Sequence, residues 1–140
     1  VETARAEGTA RSLGLALRDW GVPTAASVLA CRAARPRLKT VIATGGGATG
    51  LDVARAIALG ATLGGIARPV LQQLLEGGVE AADAYLTAVE LELRSAMLLV
   101  GARTLEDLAR CDVVLGPDLL RWASAAWFPA PSRSRGKTKR

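Results

Sequence analysis

The chain has 140 residues, half of them apolar and 22% charged, so it is one domain by length and is not disordered over most of its course. With no histidine and two widely separated cysteines, Cys31 and Cys111, it offers no zinc-type ligand set, no metal site and no histidine-based catalytic pair. Its net charge of +5 is matched by Arg133, Arg135, Lys137, Lys139 and Arg140 in the last eight residues, and without them the domain is neutral by count, which gives no support for a nucleic-acid partner.

No apolar run approaches the ~20 residues of a membrane span and no signal-peptide pattern opens the chain, so no membrane partner and a cytoplasmic location are expected. Val1 is not an initiator methionine, and residues 1–18 read as an uncapped helix weakened by Gly8 and Gly14. This opening reads as the middle of a longer protein. Asp19–Thr24 holds Gly21 and Pro23 and reads as a loop. Ala25–Ala34 follows as a helix with Thr24 as its cap and Arg35–Pro36 as its stop. On it, Cys31 is expected to be a small buried filler.

The most informative run comes next. Lys39–Thr44 is a short apolar strand, Gly45–Gly50 a glycine loop and Leu51–Gly60 a helix. Glycines let a backbone turn sharply and bring bare N–H groups up to an anion, and the helix N-terminus aims its own donors and dipole at the same spot. Thr49 and Asp52 have the spacing of a capping box. Gly45, Gly46, Gly47, Ala48 and Thr49 are therefore candidate cofactor-binding residues, with free amides expected around Gly46, Gly47 and Ala48. A plain strand-to-helix turn is the structural alternative, although three successive glycines exceed what it needs. Val53, Ala54, Ile57, Ala58 and Ala61 form an apolar face expected to pack on a sheet, and Gly60 suits a left-handed helix end.

Leu63–Ala67 reads as a second buried strand, completing a βαβ unit with parallel strands. Pro69 suits the first turn of a short helix to Glu76, which Gly77–Gly78 break. Val79–Val100 is the longest helix, with Ala82, Leu86, Val89, Leu93, Ala96, Met97 and Val100 on one stripe and Met97 in the core. Thr104 and Asp107 open a small helix, Val113–Leu115 is a brief apolar stretch, and residues 118–127 form a last helix with Trp122 and Trp127 as packing groups. The domain is thus expected over residues 1–127, followed by a basic, disordered tail over 128–140.

Several of these segments resemble type 2 isopentenyl-diphosphate Δ-isomerase, the FMN-dependent form, in its C-terminal part. They are Asp19–Ser27, Ala43–Gly46, Thr49–Ala54, Ala56–Ala61, Ala67–Pro69, Glu90–Leu98 and Gly101–Ala102. The glycine loop and the Ala-Leu-Gly-Ala segment occur across FMN-binding (β/α)8 enzymes, including α-hydroxy-acid oxidases. Trp20–Ala25 and the closing helix point to the isomerase. The resemblance implies an α/β fold in which this chain supplies the C-terminal β/α units of a TIM barrel, incomplete here because a barrel takes ~250 residues. It implies FMN-phosphate contacts at Gly46, Gly47, Ala48, Ala67 and Arg68, with Mg2+ holding a substrate diphosphate and NADPH reducing the flavin. The implied substrates are isopentenyl and dimethylallyl diphosphate, and the implied assembly is a homo-oligomer when full length. The family's substrate and metal residues would fall before Val1, so no catalytic residue is assigned in this chain. Two departures stand in the loop. The family has a bulky apolar residue at the position of Gly47 and a basic one at that of Ala48, while Arg68, often apolar there, adds a charge.

Three other readings remain open on the residues. One is a different FMN-dependent (β/α)8 oxidoreductase. Another is an NADP-binding unit built on Gly45, Gly47 and Gly50 with Arg68 near the ribose. The last is a non-catalytic phosphate-binding fragment.

Overall fold

A computed structural model describes residues 7–35 and 37–124. The elements alternate as α1 (Gly8–Ala16), α2 (Thr24–Ala34), β1 (Ile42–Thr44), α3 (Gly50–Ala58), β2 (Leu63–Gly65), α4 (Arg68–Leu99), α5 (Leu105–Leu108) and α6 (Pro117–Ala123). The strands are parallel neighbours, with Ile42 opposite Leu63, Ala43 opposite Gly64 and Thr44 opposite Gly65. The expected βαβ unit is therefore present, with both strands shorter than the apolar runs that announce them. Trp127 and the basic tail lie outside the described residues.

Packing is built from two small aliphatic clusters on either side of α3. Val28, Val41, Ala43 and Ala61 form the first, with Ala56 and Leu59 laid against it. The second gathers Ala54, Ile57, Ala102 and Leu108, with Val53, Leu93, Ala96 and Met97 around them. The apolar face of α3 thus divides: Ala56, Leu59 and the following Ala61 serve the sheet, while Ala54 and Ile57 turn to α4 and α5. Periodicity predicts a single sheet-facing stripe, but a helix held between two layers must bury two stripes. Met97 packs against the second cluster, in line with its place on the predicted stripe.

Helix ends follow local chemistry. Gly60 has φ +111° after α3, and Gly101 has φ +72° after α4. Gly78, at φ 73° and ψ −165°, breaks α4 into a short and a long segment where the double glycine predicts a break. Thr104 and Asp107 make a capping box at α5, as their spacing predicts.

Further expectations fail, among them the burial of the second strand, in which Leu63 and Gly64 are exposed, with no described element covering the Leu63 face. Cys31 is exposed rather than buried. It lines a groove with Val22, Ser27 and Ile42 beside the outer edge of β1, where no described element covers it. Thr24 does not cap α2: Pro23 holds the N-cap position, with no side-chain cap bond. Helices cover Ala43 on one face of the strand pair, whereas Ile42 and Leu63 on the other are 56% and 52% exposed. Parallel sheets are ordinarily covered on both faces, and no described element covers the second face here.

Candidate functional site

The glycine loop leaves β1 through two residues with positive φ, Gly45 at +99° and Gly46 at +79°. L-residues are strained in that region, so the reversal of the chain here depends on glycine. Thr49 then caps α3 with the expected capping box: its hydroxyl accepts from Asp52 N–H at 3.1 Å, and Asp52 Oδ2 accepts from Thr49 N–H at 3.1 Å. The same carboxylate oxygen accepts from Ala48 N–H at 3.1 Å. These bonds, led by the one from Ala48 N–H, hold the Asp52 carboxyl below its ordinary value of 3.8.

Ala48 N–H, expected to be free, is therefore occupied by a side chain of the protein itself. Gly50 N–H is occupied as well, by Glu92 Oε2 of α4 at 2.7 Å. Gly46 and Gly47 are different: among the described residues their N–H groups have no acceptor. The loop presents two open amides ahead of three that carboxylates have filled.

The second candidate segment meets the first. Gly45, Gly46, Gly47 and Ala48 line one cavity of about 340 Å3 together with Thr44, Gly65, Ala67, Arg68, Pro69 and Gln72. That volume is at the small end for a ligand pocket. No acidic residue lines it, and Arg68, its one charged lining residue, has no ion-pair partner among the described residues. Asp52 lines an adjoining cavity of similar size, which shares Gly45, Gly46 and Gly47 with the first and is otherwise mainly apolar, with Val28, Ala43, Val53 and Leu59. Two unengaged backbone donors, one guanidinium and an acid-free wall fit a phosphate ester. The candidates Gly45, Gly46, Gly47, Ala48, Ala67 and Arg68 thus share one cavity, while Thr49 stands behind it as the helix cap. Among the described residues no cluster of side chains is suited to a metal ion.

Three residues supporting the loop have no announcement in the local sequence. Thr24 Oγ1 donates to Gly45 O at 2.7 Å, which explains why this threonine is unavailable as a cap. The Tyr85 hydroxyl donates to Ala48 O, and burial, with the nearby Glu92 and Asp52 charges adding to it, raises its pKa above 10.0. Glu92 completes the set. A signal for the last contact exists at Gly50, because a glycine in the first turn of a helix with ordinary helical geometry marks a close approach. A Cβ there would lie 2.1 Å from Val89 O and 2.5 Å from Leu93 N.

Comparison with known proteins identifies the family. Residues 18–114 match the family model described as FMN-dependent dehydrogenase. Similar proteins include the isopentenyl-diphosphate delta-isomerase of Methanopyrus kandleri, 39% identical over 117 residues, which are 84% of this chain and 32% of that protein. The protein of the same name from Geobacillus is 42% identical over 110 residues, 79% of this chain and 31% of its own. That from Halobacterium salinarum is 43% identical over 108 residues, covering 75% and 28% respectively. The chain spans about a third of the length of the curated relatives it matches.

Proposed function

This chain belongs to the FMN-dependent dehydrogenase family, and on that premise we propose that it supplies the FMN-phosphate site of a flavin-dependent isopentenyl-diphosphate delta-isomerase. The observation that carries the proposal is the acid-free cavity lined jointly by Arg68 and by Gly46 and Gly47, whose amides have no acceptor among the described residues. In this reading those three groups hold the phosphate, Gly45 shapes the turn, and Ala48 and Ala67 form the wall. Thr49, bonded to Asp52, holds the helix end that backs the loop.

The family's fold is of the TIM-barrel type, and the parallel pair β1–β2 with α3 between them is consistent with it. We assign β1 and β2 to the barrel's late units, within a domain over 1–127, and the exposed Ile42 and Leu63 to its interior side. Phosphate sites of such barrels lie in loops after the last strands, where the cavity would then fall. The names of the similar proteins support conversion between isopentenyl and dimethylallyl diphosphate as the activity of the whole protein. Bound FMN would supply the ring nitrogen that exchanges a proton with the substrate; this chain's own residues bind and orient its phosphate. Mg2+ at the substrate diphosphate, NADPH as flavin reductant, a homo-oligomeric assembly and a cytoplasmic location complete the proposal. No helix among the described residues is long and apolar enough to cross a membrane.

The dinucleotide alternative uses Gly45, Gly47 and Gly50. It gains less support, because Gly50 serves close packing against α4 and the matched family is FMN-dependent. The test is FMN fluorescence quenching by the intact protein and its Gly46→Asp variant, which places a carboxylate at a positive-φ residue on the cavity wall. Saturable binding abolished in the variant, with isomerase activity lost in parallel, is the expected result. A folded wild-type protein that leaves FMN fluorescence unchanged would end the reading.

A further inference from the structure

The glycine loop is held from behind by α4. Tyr85 and Glu92 stand seven positions apart on one face of that helix, and both reach the loop rather than the cavity. The Tyr85 hydroxyl donates to Ala48 O, which fixes the Ala48–Thr49 peptide. Glu92 Oε2 accepts Gly50 N–H at 2.7 Å, which fixes the first turn of α3. Between the two, the α4 backbone at Val89 approaches Gly50 too closely for any side chain. Neither Tyr85 nor Glu92 lines the cavity of Gly46, Gly47 and Arg68.

We propose that Tyr85 and Glu92 are positioning residues for anion binding: they hold Ala48 and Gly50 so that the amides of Gly46 and Gly47 point together into the cavity. The physical reason lies in the loop's composition. Gly45, Gly46 and Gly47 impose almost no conformational preference of their own, so the direction of their N–H groups must be set by the anchors at each end. Thr24 anchors the Gly45 end, and Tyr85 and Glu92, together with the Asp52 cap, anchor the other. Glu92 also takes the helix-end donor at Gly50, so that an incoming phosphate is directed to the loop amides and not to α3. The inference rests on the flavin-phosphate reading for its ligand but not for its geometry.

The test compares FMN with riboflavin, which has the same ring and no phosphate, on the intact protein and on Tyr85→Phe, Glu92→Ala and Glu92→Gln. Loss of one anchoring bond is expected to raise the Kd for FMN about tenfold and leave that for riboflavin unchanged. Glu92→Gln keeps an acceptor oxygen and should recover most of the affinity lost in Glu92→Ala. Equal weakening of both flavins, or an FMN affinity untouched by Tyr85→Phe and Glu92→Ala, would overturn the proposal. Inorganic phosphate is titrated in parallel, reading the amide chemical shifts of Gly46 and Gly47. If wild type binds phosphate but no flavin, and the variants lose those shifts, the positioning role stands and the flavin reading falls. If wild type binds neither, both fall.

Discussion

The hydroxyl of Thr24 donates to the carbonyl of Gly45 across 2.7 Å, joining the first turn of α2 to a glycine loop 21 residues further along the chain. Thr24→Val keeps the shape and removes the bond. The variant is expected to lose about 1 kcal/mol of stability in urea unfolding, typical of one hydrogen bond, and to bind FMN severalfold more weakly. Unchanged FMN affinity would mean that the loop holds its shape without this anchor.

Gly50→Ala tests the contact between α3 and α4. Helix propensity alone would favour alanine by about 1 kcal/mol. The added Cβ, however, would sit 2.1 Å from Val89 O, a backbone atom that cannot rotate away. Overpacking of this kind costs typically 1–3 kcal/mol, occasionally more, so a net loss of stability is expected. A lower midpoint in urea confirms it; a higher one shows that the two helices separate readily enough to admit a methyl group.

Asp52 gives the fold a dependence on acid. Its folded pKa lies below the ordinary 3.8, because Ala48 N–H and the Thr49 hydroxyl, with lesser help from Thr49 N–H and Arg55, favour the carboxylate. Its contribution to stability is therefore complete above pH 3.8 and disappears as pH falls through the lower folded value. Asp52→Asn should be less stable than wild type at about pH 7, with the gap closing as pH falls below 3.8 and through the lower folded value. A gap that stays constant with pH would assign the effect to shape and not to charge. Asp107, held low first by the Thr104 side chain and then by Arg110, acts in the same direction at α5.

Arg68 is exposed and lines the candidate phosphate cavity as its one charged residue. Arg68→Gln is expected to weaken FMN by about tenfold or more, the scale of a hydrogen bond to a charged group, with riboflavin unaffected. Added salt should narrow the difference between the two proteins, since exposed charges are screened. Equal affinities at low salt would remove Arg68 from the site.

The parts of the site that sequence reveals are those whose partners lie within a few residues. Thr49 and Asp52 are three positions apart, and that spacing alone specifies the capping box. The glycine run and the apolar stretches around it likewise announce strand, loop and helix. What escapes depends on contacts across the chain. Tyr85 meets Ala48 at a separation of 37 residues and Glu92 meets Gly50 at 42, distances over which no local pattern constrains a side chain. Thr24 has a local role available as a cap, and a distant partner takes it instead. Cys31 misleads for a related reason: its helix is apolar enough for burial, but no described element covers that edge of β1.

Carboxylates and a phenol of the chain itself satisfy the loop's neighbouring amides and carbonyl. Closing the loop therefore does not wait on binding, and a phosphate entering the cavity has little backbone freedom left to freeze. Ordering one residue's backbone costs roughly 1–2 kcal/mol, so a loop of three glycines left unanchored would subtract a comparable amount several times over from the binding free energy. Here that ordering is part of the folding reaction, and association should proceed at a rate set by encounter and desolvation, with no slow rearrangement following it.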